Sequence, residues 1–257
     1  MTVVGFMGLG TMASAIIDGL KTAAPDIQRL GYDPYSDNAH VEHVSVDDLC
    51  RRSDCVVLGM KPKDIPAALA SLPDAHPPLI SMAAGIPLNQ YPIAVPVCRV
   101  MPNLAVRIHA GVSALCFNEA SDSTFKAFAC RLFEPLGLTV TVSDEDHMHT
   151  ITALSGSGPA FFYRIIQAFA NAGVQAGLSE SVALDLVTQT ALGSAKLVQN
   201  HEAVSMATLD AMVHAVCSPG GTTAAGIQTF DTETMDHQLQ TVIQAAIDRS
   251  KALGAPS

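Results

Sequence analysis

Short apolar runs alternate with amphipathic stretches along the first part of the chain. The runs contain β-branched residues and are bounded by Gly, Pro or Asp, which is typical of buried β-strands. They cover residues 2–8, 29–33, 55–60, 78–82, 96–100, 112–117 and 138–142. Two of the stretches between them, residues 11–23 and 64–71, have a helical period. This alternation predicts a mostly parallel sheet with helices on both faces.

The strand pattern stops near residue 144, and helical patterns follow. One helix face carries a set of large apolar side chains, namely Phe161, Phe162, Ile165, Ile166 and Phe169. A second helix is predicted after Ser179, whose side chain suits a helix N-cap, and a third over residues 235–254. We therefore predict an α/β domain over residues 1–150 and an all-helical domain over residues 151–257.

Composition narrows the possible partners of the chain. Hydrophobic residues make up 49% of the 257 residues and charged residues 15%, so we expect part of the surface to be buried against a second copy. The net charge is −10 and no basic cluster occurs, which argues against nucleic acid and anionic membranes as partners.

The cysteines and the apolar runs indicate where in the cell the protein is found. Six cysteines occur without a CxxC motif or a disulfide-like spacing, which predicts reduced, mostly buried thiols and a cytoplasmic protein. No apolar run has the length of a membrane helix, and residues 2–17 lack the preceding positive charge and the uninterrupted apolar core of a secretory signal.

A glycine turn lies between the first predicted strand and the first predicted helix. Gly8 allows the tight turn, Gly10 lets a pyrophosphate approach the backbone, and Ala13 lets the helix pack closely on the sheet. The predicted pyrophosphate site comprises Gly8, Leu9, Gly10, Thr11 and Met12, with the helix-start amides facing the phosphates. Asp33 ends the second strand, where a carboxylate binds the hydroxyls of the adenosine ribose. These features predict an N-terminal Rossmann-like dinucleotide-binding domain.

A second glycine turn occurs near the far end, in "VCSPGGTTAAGI" at residues 216–227. Ser218 and Pro219 turn the chain, the two glycines leave backbone amides uncovered, and Thr222 and Thr223 start a helix. Such a helix start suits a small carboxylate ligand. The alternative from the residues alone is an ordinary helix cap that binds nothing.

Five segments together resemble the pyrroline-5-carboxylate reductase family. They are "MKPKDI" (60–65), "SMAAGI" (81–86), "RVMPN" (99–103), "TALSGSGPAFFY" (152–163) and the second glycine turn, and the resemblance extends from residue 4 to about residue 253. It implies reduction of the cyclic imine 1-pyrroline-5-carboxylate to L-proline with NAD(P)H, the last step of proline synthesis. It also implies that the C-terminal domain is an all-α dimerisation domain, so that the enzyme is at least a homodimer.

The resemblance assigns roles to individual residues. Thr223 would lie near the ring nitrogen as the catalytic residue, and the rest of the substrate site would comprise Ser218, Gly220, Gly221 and Thr222. The dinucleotide cleft would also be lined by Lys61, Pro62, Ala83, Ala84 and Asn103.

The match is imperfect beside the predicted site. Leu104 and Ala105 stand where the family usually has Thr-Pro, and His214, Ala215 and Cys217 also depart from the usual pattern. These differences leave open a reductase of a related cyclic imine acid.

Two other functions stay open: a hydroxyacid dehydrogenase with the same two-domain plan, and a dinucleotide-binding regulator without catalysis. A hydroxyacid dehydrogenase would need a Lys or His partner for the alcohol oxygen, and Lys196 lacks a recognisable motif around it. A non-catalytic dinucleotide-binding regulator would not need the intact "SPGGTT" turn. A metal site at His147 and His149, or a nucleophilic pair of His214 and Cys217, lacks further support in the sequence, so no metal is predicted.

The acid at the end of the second strand also predicts a cofactor preference. Asp33 would repel a 2′-phosphate, and no Arg or Lys occurs in residues 34–50. We therefore predict that NADH is used at least as well as NADPH.

Overall fold

The computed structural model describes residues 2–254. Eight strands are found in this range, at β1 (Val3–Met7), β2 (Gln28–Tyr32), β3 (Glu42–His43), β4 (Cys55–Leu58), β5 (Leu79–Ser81), β6 (Val97–Pro102), β7 (Gly111–Phe117) and β8 (Gly137–Thr141). The α-helices of the same range are α1 (Thr11–Ala23), α2 (Val46–Arg52), α3 (Ile65–Ala70), α4 (Ser123–Phe133), α5 (His147–Ile151), α6 (Gly158–Gln175), α7 (Glu180–Gln199), α8 (Met206–Val216), α9 (Thr222–Thr232) and α10 (Met235–Gly254).

The strands form one sheet in the order β3-β2-β1-β4-β5-β6-β7-β8. Neighbouring strands are parallel except for β6 and β7, which are antiparallel. The strand order reverses at β1: β2 and β3 lie on one side of it in the sheet, and β4 to β8 follow on the other side. In open parallel sheets, the crevice beyond the carboxyl ends of the strands at such a point is the usual ligand site.

Helices cover both faces of this sheet. On one face α1 and α4 bury Ile16, Leu20 and Phe133 against Phe6 and Val57. On the other face α2 and α3 bury Leu49 and Ile65 among residues of β4 and β5. Because β4, β5 and β6 are buried on both sides, their sequences are mainly apolar rather than alternating, with Ser81 and Arg99 as the buried polar exceptions.

The main sequence-based predictions for this region are confirmed. All seven predicted runs become strands, with ends that shift by a few residues, and α1 has the predicted bounds. The prediction of 64–71 as helical corresponds to a 3₁₀ turn at Pro62–Asp64 followed by α3. The sequence pattern missed β3 and α2, since both residues of β3 are exposed and α2 is short and highly charged.

Contacts among the described residues divide them into two compact units, residues 2–159 with 243–254, and residues 160–242. The second unit is helical, as predicted for this part of the chain. The end of α10 therefore belongs with the first unit, whereas the sequence places it in the second domain. The functional boundary between residues 150 and 151 stays a prediction.

The helical unit buries very little of its own apolar surface. Within residues 160–242 only Ala170 and Ala183 are buried. Phe162 and Phe169 of the predicted apolar face are 63% and 61% exposed, and Leu186 and Leu197 are exposed as well. An apolar surface of this extent is typical of a protein interface.

No helix within residues 2–254 is both long enough and apolar enough to span a membrane.

Candidate active site

The first glycine turn has the geometry that its sequence predicts. Gly8 has φ 90°, and a Cβ there would lie 3.0 Å from the backbone carbon of Gly59. Gly8 is therefore required by the turn itself. A Cβ on Gly10 would only contact the Gly59 carbonyl oxygen at 4.0 Å. The protein leaves space at Gly10, which fits the predicted approach of a pyrophosphate.

The start of α1 carries backbone amides that are free to bind an anion. Ser14 N–H donates to the Gly10 carbonyl oxygen at 2.9 Å, which is the first bond of the helix. Among residues 2–254, no acceptor is found for the N–H groups of Gly10, Thr11 and Met12. Unpaired amides at a helix N-terminus attract phosphate groups. These residues therefore fit a dinucleotide pyrophosphate.

Leu9 is used differently from its neighbours in the turn. Its N–H donates to the carboxylate of Asp33 at 2.7 Å, and its side chain is buried. Asp33 also accepts hydrogen bonds from the N–H groups of Tyr35 (2.8 Å) and Ser36 (3.1 Å). The amide of Leu9, a predicted cofactor contact, is thus already paired within the protein.

A cleft of about 680 Å³ lies at this edge of the sheet. Gly8 and Gly10 line it together with Asp33 at the end of β2 and Lys61 after β4. Lys63 also lines it, which the sequence reasoning did not predict. Pro62 begins the 3₁₀ turn that follows Lys61.

The remaining predicted cleft residues follow β5 and β6. Ala83 and Ala84 come after β5, and Asn103 comes directly after β6. Because these strands run parallel to β4, their carboxyl ends lie at the same edge of the sheet as the glycine turn. Asn103 is buried, and its side-chain oxygen accepts from the N–H groups of Ala105 (3.2 Å) and Val112 (3.3 Å).

A buried ion pair lies next to these loops, and the sequence reasoning missed it. Arg99 of β6 is 3% exposed and donates from Nη1 to Glu145 Oε1 at 2.5 Å. The same oxygen accepts from Leu88 N–H at 2.7 Å. The pair therefore connects β6, the loop after β5 and the segment before α5. Arg99 belongs to the "RVMPN" motif, but nothing in the local sequence indicates Glu145 as its partner.

A helical turn of π type lies at Thr152–Gly156, between α5 and α6, and contains the first three residues of "LSGSG" (154–158). π-Type turns inside helices are frequent at functional sites. A Cβ on Gly156 would lie 3.0 Å from the sulfur of Met101. Two of the motifs that carry the family resemblance, "RVMPN" and "LSGSG", therefore pack against each other here.

The second glycine turn also forms as predicted. Gly220 has φ 70°, Gly221 precedes α9, and α9 begins at Thr222. A Cβ on Gly221 would overlap the hydroxyl oxygen of Ser218. Among residues 2–254, no acceptor is found for the N–H groups of Thr222, Thr223 and Ala224, and Ala225 makes the first helical bond, to the Gly221 carbonyl. The turn thus presents free amides and the hydroxyls of its Ser and Thr side chains.

Histidines and cysteines do not form a metal site in the part of the chain described. No group of three or more His, Cys, Asp or Glu residues there is placed to hold a metal ion. His149 Nδ1 lies 3.0 Å from the hydroxyl of Ser250, and partial burial is the main cause of its lowered pKa. Cys217 N–H donates to the carbonyl oxygen of His214 at 3.1 Å, a bond of the backbone alone.

Two family models match the chain. Residues 145–253 match the model described as "Pyrroline-5-carboxylate reductase dimerisation", and residues 3–85 match "NADP oxidoreductase coenzyme F420-dependent". The pyrroline-5-carboxylate reductase of Haemophilus influenzae is 31% identical over 97% of both chains.

Solved structures agree in fold over nearly the whole length. The crystal structure of Plasmodium falciparum pyrroline carboxylate reductase with NADP bound has a TM-score of 0.90 at 29% identity, covering 99% of this chain and 98% of the other. A 1-pyrroline-5-carboxylate reductase of Streptococcus pyogenes has a TM-score of 0.85 at 33% identity, covering 97% and 98%.

Proposed function

The chain belongs to the pyrroline-5-carboxylate reductase family, and we propose that it reduces 1-pyrroline-5-carboxylate to L-proline with NAD(P)H. The observation that carries this proposal is the start of α9, where unpaired amides meet the hydroxyls of the "SPGGTT" turn. A reductase of this kind needs a site for a carboxylate and a site for a dinucleotide, and the two glycine turns fit these needs.

The second turn would hold the carboxylate of the substrate. Charge-assisted hydrogen bonds from amides contribute about 1.5–3 kcal/mol each, and the helix dipole adds about 0.3–1 kcal/mol. Ser218 and Thr222 would supply hydroxyl donors, and the free amides of the turn would complete the site. No positively charged side chain is needed, because the helix start already favours an anion.

Thr223 would direct the ring nitrogen of the imine. Protonation of this nitrogen makes the neighbouring ring carbon electrophilic, so the protein needs little acid–base machinery of its own. When bound, the reduced nicotinamide supplies the hydride. The chain's own contribution is then orientation, which accounts for a large part of the rate in such reactions.

The first turn would hold the dinucleotide through the amides of Gly10, Thr11 and Met12. Lys61 and Pro62 would line the dinucleotide cleft, and Ala83, Ala84 and Asn103 would lie along it after β5 and β6. The space left at Gly10 and the unpaired amides at the start of α1 support this assignment.

The test is the loss of reduced-nicotinamide absorbance with a panel of cyclic imine acids. The panel should include 1-pyrroline-5-carboxylate and its six-membered ring homologue, because Leu104, His214, Ala215 and Cys217 depart from the usual family pattern. If another imine is turned over faster than 1-pyrroline-5-carboxylate, that imine is the substrate instead. Oxidation of hydroxy acids with NAD⁺, without imine reduction, would favour the dehydrogenase alternative.

Thr223→Ala tests the role of the second turn directly. Loss of one hydrogen bond to the bound substrate, worth about 1–3 kcal/mol when the substrate buries it, lowers kcat/KM by roughly 5- to 150-fold, with NADH affinity nearly unchanged. Thr229→Ala is a matched control, since Thr229 lies further along α9 and its hydroxyl donates to the Ala225 carbonyl. Full activity of the Thr223 variant would contradict the assignment.

We also propose that NADH is used at least as well as NADPH. The carboxylate of Asp33 lines the cleft, and residues 34–50 after β2 contain no Arg or Lys. Lys61 and Lys63 line the same cleft from the loop after β4, and their positive charges favour the 2′-phosphate of NADPH. A kcat/KM for NADPH tenfold above that for NADH would contradict this preference.

The enzyme is proposed to be at least a homodimer joined through the helical unit. The exposed faces of α6 and α7, with Phe162, Phe169 and Leu186, support this, as does the matched dimerisation model. Obligate interfaces of this type bury more than roughly 2,000 Å². Light scattering at low micromolar concentration measures the mass, and an active monomer would refute the dimer.

The free state of all six cysteines supports a cytoplasmic location.

A further inference from the structure

Side chains, rather than the backbone, hold both polar groups of Leu9 in the first glycine turn. The N–H of Leu9 donates to the carboxylate of Asp33 at 2.7 Å. Its carbonyl oxygen accepts from the hydroxyl of Ser14 at 3.0 Å, and that hydroxyl in turn accepts from the side-chain amide of Asn38 at 3.2 Å. Asp33 and Asn38 both lie in the segment that follows β2. This segment therefore holds the N–H of Leu9 directly through Asp33, and its carbonyl oxygen indirectly through Asn38 and Ser14.

The carboxylate of Asp33 has little capacity left for a ligand. Its Oδ2 accepts from Leu9, and its Oδ1 accepts from the N–H groups of Tyr35 and Ser36. An ionised carboxylate offers about four acceptor positions. Three are therefore occupied by the protein, which leaves one for a ribose hydroxyl. The three amide dipoles also offset part of the negative charge that a 2′-phosphate would meet, so the carboxylate disfavours NADPH only slightly, which agrees with use of NADH at least as well as NADPH.

We propose that Asp33 is chiefly a positioning residue, which sets the pyrophosphate turn by holding Leu9 and supports NADH and NADPH binding alike. The inference rests on the proposed dinucleotide site. Leu9 directly precedes Gly10, Thr11 and Met12, so its two anchors fix the direction in which their amides point. Those amides face a pyrophosphate, which the two cofactors share. Loss of the anchor therefore weakens both cofactors, whereas loss of a purely ribose-reading acid strengthens NADPH binding.

The test is the Kd of NADH and of NADPH, measured without imine on the full-length protein. The chain contains no Trp whose quenching could report binding. Binding is therefore followed by the fluorescence of the reduced nicotinamide itself, which is excited at wavelengths that protein side chains do not absorb. Asp33→Asn keeps the shape of the side chain but turns an acceptor into a donor, which faces an N–H group. We expect both Kd values to rise roughly tenfold, as for the loss of a charge-assisted hydrogen bond.

Two further variants separate anchoring from charge. Ser14→Ala removes the second anchor of Leu9 and changes no charge, and we expect it to weaken both cofactors by roughly the same factor, about two- to fivefold. Asp37→Asn is the control, since it removes a charge from the same segment at a side chain that is 89% exposed and paired with His43. This control should leave both Kd values within about twofold.

Four outcomes contradict the inference. Tighter NADPH binding by Asp33→Asn, with weaker NADH binding, would make Asp33 a reader of the ribose. Unchanged Kd values in Ser14→Ala would show that Leu9 needs no anchor. Equal binding by the wild type and Asp33→Asn would contradict the inference alone, whereas a wild type that binds neither cofactor would contradict the proposed function as well.

Discussion

Removal of Glu145 tests how far the buried guanidinium of Arg99 depends on a single partner. The Arg99 side chain is 3% exposed, and its Nη1 donates to Glu145. Its Nε is buried without a hydrogen-bond partner among the described residues. Glu145→Ala therefore leaves a cation in the protein interior and also deprives Leu88 N–H of its acceptor.

The structure sets the size of the expected loss. Breaking a buried ion pair from one side costs about 3–5 kcal/mol. Because the Glu145 side chain is 32% exposed, water can partly replace it, and we expect roughly 3 kcal/mol, near the lower end of that range. For a chain of this size, such a loss lowers Tm by roughly 6–12 °C.

The reverse change should cost less. Arg99→Met removes the buried charge and keeps an apolar side chain among buried strand neighbours, while Glu145 retains Leu88 N–H and contact with water. We expect a loss of about 1–2 kcal/mol. The double variant should then be more stable than Glu145→Ala alone, because no unpaired cation remains.

Urea unfolding followed by circular dichroism measures all four proteins. The protomer concentration must be the same throughout, since dimerisation contributes to apparent stability. If Glu145→Ala lies within about 1 kcal/mol of the wild type, or if the two single losses add up in the double variant, the ion pair is not coupled as the geometry implies.

Three further predictions concern stability and reactivity. Partial burial, followed by the charge of Arg99, lowers the pKa of His149 in the folded protein. The contribution of His149 to the free energy of unfolding is therefore complete above its unfolded pKa of about 6.5 and declines as the pH falls below that value. His149→Gln should flatten the decline below this pH in a series of unfolding free energies. A Cβ on Gly19 would lie 2.6 Å from the Val106 carbonyl oxygen and 2.7 Å from a methyl group of Leu136, so Gly19→Ala should destabilise by about 1–3 kcal/mol in the same urea assay, and an unchanged midpoint would contradict the packing. Cys50, Cys55, Cys98 and Cys116 are buried and their thiol pKa values are raised by burial, so a thiol reagent should modify only Cys130 and Cys217 in the native protein and all six cysteines after unfolding.

Local patterns predict the central strands and α1 well because burial on both faces leaves a strong sequence signal. β4 is apolar throughout, β6 is apolar apart from Arg99, and α1 places its apolar residues on one face. The outer elements lack that signal. β3 consists of Glu42 and His43, both exposed, and only its pairing with β2 makes it a strand. α2 does carry a predictable N-cap, since Ser45 accepts from Asp48 N–H, but the helix is short and charged.

Long-range polar contacts were beyond sequence reasoning. Arg99 and Glu145 are 46 residues apart, and Leu9 and Asp33 are 24 apart. The sequence identified Asp33 as an acid beside the cofactor. Tyr35 and Ser36 bond it within a local turn, but its bond from Leu9 depends on how β2 and the first glycine turn pack together. The pattern therefore predicted which residues surround the cleft, and the structure was needed to see which of their polar groups are already used.

The two glycine turns differ in the contacts that fix their geometry. This explains why the geometry of the second turn is easier to predict from its motif than that of the first. The geometry of "SPGGTT" is set within four residues, because Gly221 N–H donates to the Ser218 carbonyl, Ser218 Oγ leaves no room for a Cβ on Gly221, and Gly220 takes a positive φ. Every restraint is present in the motif itself, so the motif alone predicts a helix start with free amides. The first turn is held by Gly59, Asp33 and Ser14, of which only Ser14 is close in sequence. A short Gly-x-Gly match therefore indicates a tight turn only weakly, and the acid at the end of β2 is what makes it specific.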